Sequence, residues 1–157
     1  MTASGIDWRA NLDRLALTLP PVAAPAGAYI PAIRSGSLVY TAGQLPFVDG
    51  ALSATGKVGA EVNIEDAARA AGLCALNALA AVHDLVGLDA VVRIVKVVGF
   101  VASAPGFTDQ PLVINGASEL LGEVFGAAGV HARSAVGVAE LPKGTPVEVE
   151  LIAEIRG

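Results

Sequence analysis

Strict alternation marks the C-terminal end of the chain. Within 147–155, Val147, Val149, Leu151, Ala153 and Ile155 share one side of an extended strand, and Glu148, Glu150 and Glu154 share the other with Ile152. The apolar side belongs under helices, and the acidic side points away from them. Residues 133–141 read as a preceding strand, joined to the last by Pro-Lys-Gly-Thr-Pro. Residues 91–102, VVRIVKVVGFVA, read as a central strand. Residues 28–34 and 37–42 read as a strand pair with a tight turn at Ser35-Gly36. Asp49-Gly50 marks a further turn, and Gly56 and Gly59 keep the next stretch irregular.

Between the strands the period lengthens to that of helices. Asn63 can cap a long helix that Gly87 stops, with Glu65 and Asp66 well placed in its first turn. Its apolar face is Ala67, Ala71, Cys74, Ala78, Val82 and Leu85, mostly small, so the helix can lie close on a sheet. Thr108 is expected to cap a second helix, roughly 109–126, anchored by Val113, Leu120, Leu121, Val124 and Phe125. Pro111 is tolerated in its first turn, and Gly126 and Gly129 end it. Residues 6–18 suggest a short amphipathic helix, with Ile6, Leu12 and Leu15 on one face and Trp8 near it. A Pro- and Ala-rich linker, LPPVAAPAGA, follows. Two helices on connections between strands predict an α+β fold, a mixed sheet with both helices packed on one face.

The composition says what covers the other face. Of 157 residues, 54% are hydrophobic and 16% charged. A small monomer cannot hide that much apolar surface, so a homo-oligomer with a broad apolar interface is expected. No uninterrupted apolar run of about 18 residues is present, and the charged N-terminus has no apolar signal core. No membrane partner and a cytoplasmic location are therefore expected. A net charge of -5, no basic run and 4% aromatic residues argue against a nucleic-acid partner. The single cysteine, Cys74, excludes an intramolecular disulfide. With only His83 and His131 beside it, a usual zinc site is not expected. No phosphate-binding loop, dinucleotide fingerprint or Ser-His-Asp spacing occurs.

Arg133 and Glu148 stand out in the last two strands. Read from the residues alone, they form a structural ion pair. A resemblance changes that weighting. GAYIPAI with Tyr29, VYTAGQLP at 39–46, VKVVGFVAS at 95–103, VIN ending at Asn115, and HARSAVGVAELPKGTPVEVELIAE resemble the RidA family (YjgF, older label endoribonuclease L-PSP). The leading helix and the GFTDQPLVINGAS stretch look like a longer branch of it. The chain then divides into an N-terminal helical extension, 1–19, and a RidA-like domain, 20–157.

The resemblance implies a chorismate-mutase-like fold and a homotrimer with intersubunit clefts. It also implies hydrolysis of reactive enamines and imines, such as 2-aminoacrylate, to 2-oxo acids and ammonia. Arg133 matches the carboxylate-binding arginine, whose planar fork suits a 2-imino or 2-oxo acid. Glu148 matches the acidic position that orients water or takes its proton. Tyr29 and Asn115 match cleft residues, and Gly43 leaves room for a ligand to approach the backbone. Ala42 stands where many members have serine, and Ala135 where they have cysteine, so the cleft is more apolar. These two departures point to weaker activity, a bulkier substrate, or a non-catalytic 2-oxo acid binder. Ribonuclease activity, the older label, fits the acidic charge least. No cofactor or metal is expected, because an imine is already electrophilic. Cys74 is expected in the core and His83 at a helix end. His131, Phe107 and Gln110 are weaker candidates for the border of the cleft.

Overall fold

A computed structural model, which describes residues 1–2 and 5–157, contains a five-stranded mixed sheet with two long helices on one face. The strands are β1 (Ala32–Ser35), β2 (Leu38–Thr41), β5 (Val91–Ala102), β6 (Ala132–Val138) and β7 (Val147–Ile155). A separate hairpin comprises β3 (Phe47–Val48) and β4 (Ala51–Leu52). The helices are α1 (Trp8–Arg14), α2 (Ile64–Val86) and α3 (Gln110–Phe125). Sheet order is β1-β2-β7-β5-β6, with β6 parallel to β5 and every other pairing antiparallel.

The alternation in β7 is realised in full. Val147, Val149, Leu151, Ala153 and Ile155 are buried, and the residues between them are half-buried. Val97 and Val101 of β5 join that core, as do Ala71, Cys74, Ala78 and Val82 of α2 and Val113, Leu121, Val124 and Phe125 of α3. A fully buried Val or Leu contributes roughly 1.5–3 kcal/mol, so this two-layer core carries the fold. The helices meet closely because Gly116 of α3 lies against the main chain of Ala68, where a Cβ would overlap the carbonyl.

Asn63 caps α2 by accepting from Asp66 N–H at 2.8 Å, and Gly87 ends it, both as expected. α2 is long and apolar enough to cross a membrane by length and composition, but 61% of its most apolar window is buried in the protein, as in a core helix. Asp49-Gly50 forms the β3–β4 turn with φ of 50° and 81°, positive at both positions as this hairpin turn requires.

Several boundaries differ from expectation. β1 begins at Ala32 rather than residue 28, and its two-residue turn to β2 is Gly36-Ser37. The cap of α3 is Asp109, not Thr108, and its side chain makes no capping hydrogen bond. β6 ends at Val138. α1 stops at Arg14 because Ala16 turns into the left-handed region (φ 55°) and Leu17 N–H folds back to the Leu12 carbonyl. Ile6 and Leu15 therefore lie outside α1, while Trp8 and Leu12 are its buried anchors.

α1 is fastened to the domain at Asp89. Trp8 Nε1 donates to its carboxylate at 2.8 Å, Arg9 adds two bonds of 3.0 Å, and the N-terminal amine adds one of 3.2 Å. Asn11 Nδ2 also donates to the Val124 carbonyl of α3 at 2.9 Å.

Candidate functional site

Arg133 sits near the start of edge strand β6, opposite Val97 of β5, and shares the helix-covered face with Val97 and Leu151. Its side chain reaches α3. Nη1 donates to Asn115 Oδ1 at 2.8 Å and to Ser118 Oγ at 3.2 Å, and Nη2 donates to the Pro111 carbonyl at 3.3 Å. Pro111, Asn115 and Ser118 follow one another at steps of four and three, which puts all three acceptors on one face of α3. All three are neutral, and Arg133 has no carboxylate partner among the described residues. A guanidinium has five N–H donors. Three are engaged here, leaving Nε–H and one on Nη2, the two nitrogens of one edge. That is the number a carboxylate takes in a bidentate contact.

Glu148 is placed differently. It lies opposite Phe100 on β5, and Phe100 is also level with Val136 of β6. This puts Glu148 on the sheet face away from the helices, whereas Arg133 faces α3. β5 runs between their strands, and they are three residues apart along it. With strands about 4.8 Å apart and about 3.3 Å per residue, the Cα atoms are separated by roughly 14 Å. The expected Arg133–Glu148 ion pair is therefore not formed. The short Pro-Lys-Gly-Thr-Pro stretch before β7 made the two strands look like neighbours, but β5 is inserted between them.

The Glu148 carboxylate packs on Gly43, just past β2, where a Cβ would overlap its oxygen. A close approach by Glu148 is thus the reason for glycine at this position. Partial burial and the charge of Glu150 push the Glu148 pKa up. Ala42 N–H donates to the Pro31 carbonyl at 2.8 Å, so the segment carrying Tyr29 runs back beside Ala42 and Gly43. Tyr29 lies in a bend rather than a strand and is 50% exposed. Its hydroxyl accepts from Ala26 N–H at 3.2 Å. Ala135 is two residues beyond Arg133 on β6, part-buried against the core.

The site residues thus fall into two groups, Asn115, Arg133 and Ala135 in one and Ala42, Gly43 and Glu148 in the other, with Tyr29 in the bend two residues before Pro31. Of the remaining candidates, Cys74 is buried, and burial drives its thiol pKa well up. His83 Nδ1 accepts from Leu88 N–H at 3.2 Å, and its ring lies edge-on to Trp8, a structural role. Gln110 Nε2 donates to the Phe107 carbonyl at 2.9 Å and to Ser103 Oγ at 3.1 Å, fixing the entry to α3. Ser118 was not singled out in the sequence, although its spacing from Asn115 is the signal that finds it.

A mixed α+β domain of this layout is shared with known proteins. Residues 21–155 match the family model described as endoribonuclease L-PSP. The chain belongs to that family, which includes YjgF. A Trypanosoma cruzi protein, TCP17, is 45% identical over 148 residues, covering 93% of this chain and 92% of that one. The crystal structure of an Agrobacterium tumefaciens protein of unknown function is 46% identical with a TM-score of 0.89, covering 95% of this chain and 92% of the other. E. coli TdcF, crystallised with bound serine, is 27% identical with a TM-score of 0.63, covering 88% and 94%. Helix α1 precedes the matched residues.

Proposed function

We propose that the chain hydrolyses reactive 2-imino acids of the 2-aminoacrylate type to 2-oxo acids and ammonia. The observation that carries this reading is Arg133, held on three neutral acceptors with two donors left over. Those donors take the substrate carboxylate. Water adds to the C=N carbon as Glu148 accepts its proton and passes it to the nitrogen. The hydroxyl of the resulting carbinolamine then gives up its own proton to the nitrogen through the same carboxylate as the C=O forms, and the C–N bond breaks with ammonia leaving. A carboxylate with a raised pKa is a better proton acceptor than an ordinary one. The bound serine of E. coli TdcF supports the substrate class, because it carries the same α-carboxylate beside nitrogen.

One chain cannot bring Arg133 and Glu148 to a single small ligand. The cleft then forms between copies, with the Arg133 group of one chain facing the Ala42, Gly43 and Glu148 group of another. β6 and β1 are opposite edges of the sheet, so such a contact is heterologous, the kind that builds a ring when its rotation closes. The resemblance implies a ring of three.

A second reading is non-catalytic binding of a 2-oxo acid. Ala42 and Ala135 favour it, since neither offers a hydroxyl or thiol to the chemistry. The two readings separate in one assay. 2-Iminopropanoate is generated in situ from alanine with an amino-acid oxidase and trapped with semicarbazide. Lower trapped imine with wild type, and not with Arg133→Ala, supports the hydrolase. Binding of pyruvate without turnover supports the binder, and neither effect sinks both.

A further inference from the structure

Arg133 is the first member of a longer chain of hydrogen bonds. Ser118 Oγ lies 3.0 Å from His131 Nε2, and His131 Nδ1 lies 2.6 Å from the Gly129 carbonyl. A carbonyl oxygen only accepts, so Nδ1 carries the ring proton and donates to it. In the neutral ring Nε2 is then an acceptor, and the Ser118 hydroxyl must donate to it. The lone pairs of Ser118 Oγ face the other way and accept from Arg133 Nη1. The result is one directed sequence of bonds, from Arg133 through Ser118 and His131 to Gly129 O. The Gly129 end is anchored, because Gly129 is buried and its Cα lies against the main chain of α3 at Leu121.

We propose that Ser118 and His131 are positioning residues that fix the Arg133 guanidinium, so that its two remaining donors meet a substrate carboxylate. This rests on the reading of Arg133 as the carboxylate-binding residue. Without the chain, the fork keeps Asn115 on Nη1 and the longer bond from Nη2 to the Pro111 carbonyl, and with one contact fewer its orientation is less tightly fixed. The Arg133 charge persists, so a ligand is still attracted but less well oriented. His131 also fixes the rotamer of Ser118. Without the ring, the hydroxyl is free to turn toward its own helix backbone, as serine in a helix commonly does.

The test uses the full chain, with 2-iminopropanoate turnover and pyruvate binding as readouts. Ser118→Ala is expected to raise KM for the imine and Kd for pyruvate about tenfold while kcat changes less than about twofold, since one bond and some orientation are lost. Ser118→Thr, which keeps the hydroxyl, is expected to restore both. His131→Ala is expected to act in the same direction, and the double variant to be no worse than Ser118→Ala, because the bonds act in series. Nitrogen NMR of His131 gives a readout that does not depend on activity, with the proton expected on Nδ1 in wild type. Additive single effects, no rescue by threonine, or the ring proton on Nε2 would overturn the proposal. An inactive Arg133→Ala beside an unaltered Ser118→Ala overturns the chain alone. An Arg133→Ala that binds and turns over like wild type removes the functional reading, and the positioning role with it.

Discussion

Arg9 and Arg133 are both guanidinium forks held by hydrogen bonds, and they differ in what accepts them. Arg9 stacks over the Trp8 ring at 4.2 Å and gives two bonds to the Asp89 carboxylate. That carboxylate also receives Trp8 and the N-terminal amine, and the Arg9 fork holds its pKa far below the usual carboxylate range. The Arg9 fork is already occupied by a carboxylate of its own chain, and the cluster's product is mechanical, the seating of α1. Arg133 gives a similar number of bonds to an amide, a hydroxyl and a main-chain carbonyl. Its geometry is fixed while its charge is not neutralised. An arginine oriented by neutral acceptors is available to an anion, and one oriented by a carboxylate is already occupied.

The largest expected effects test that distinction by crossing the two sites. Arg133→Ala removes two charge-assisted bonds to the ligand, each worth about 1.5–3 kcal/mol, so binding or kcat/KM is expected to fall at least about 100-fold. The thermal midpoint should hardly move. Arg133→Lys keeps the charge without the fork and should recover only part of the loss. Asp89→Ala should do the reverse. Trp8 is the sole tryptophan, so its fluorescence reports undocking of α1 directly, and proteolysis of the 16–24 segment should accelerate while ligand affinity stays within about twofold. Loss of ligand affinity in Asp89→Ala with α1 still seated would break the comparison.

An effect no larger than that is expected at Gly43. A Cβ there would overlap the Glu148 carboxylate oxygen, which is the end of a flexible side chain. Glu148 can therefore swing away at little cost to the fold. Gly43→Ala is expected to lower kcat about 100-fold, the low end of what a misplaced proton acceptor costs, with near-normal pyruvate binding. Equal losses in pyruvate affinity and kcat would mean that Gly43 serves ligand access instead.

Much of this was legible in the residues. β7 announced itself by alternation, and α2 by its Asn63 cap, its small apolar face and Gly87. The misreadings have physical causes. The end of α1 depends on Ala16 adopting a positive φ, which nothing about alanine foretells. Tyr29 and Ile30 look like strand residues, yet the chain bends there before β1 begins. The Arg133–Glu148 pair was suggested by two strands joined through a short link. Strand order is a long-range property, and β5 takes the place between them. The Arg133 acceptors were more accessible, because Pro111, Asn115 and Ser118 share a helical face. Their convergence on β6 needed the register of β6 with β5.

The smallest effect is one of pH, and it separates the two regions by sign. The folded-state pKa of Asp89 is depressed by Arg9, Trp8 and the terminal amine. Its contribution to stability is therefore complete above the unfolded value and lost only as pH falls through the lower folded value. Glu148 is shifted the other way, by partial burial and by Glu150. Its folded state takes up a proton at higher pH than the unfolded chain does, so protonation there favours folding slightly while removing the proton acceptor. On acidification, kcat/KM should fall first, with an acid limb above that of an ordinary glutamate. The Trp8 signal should stay native until well below it. Replacing Glu150 by Gln removes the neighbouring charge and should move the acid limb down without moving the Trp8 transition. If activity and Trp8 fluorescence change together, α1 is coupled to the cleft, and the division between the neutralised arginine and the available one does not hold.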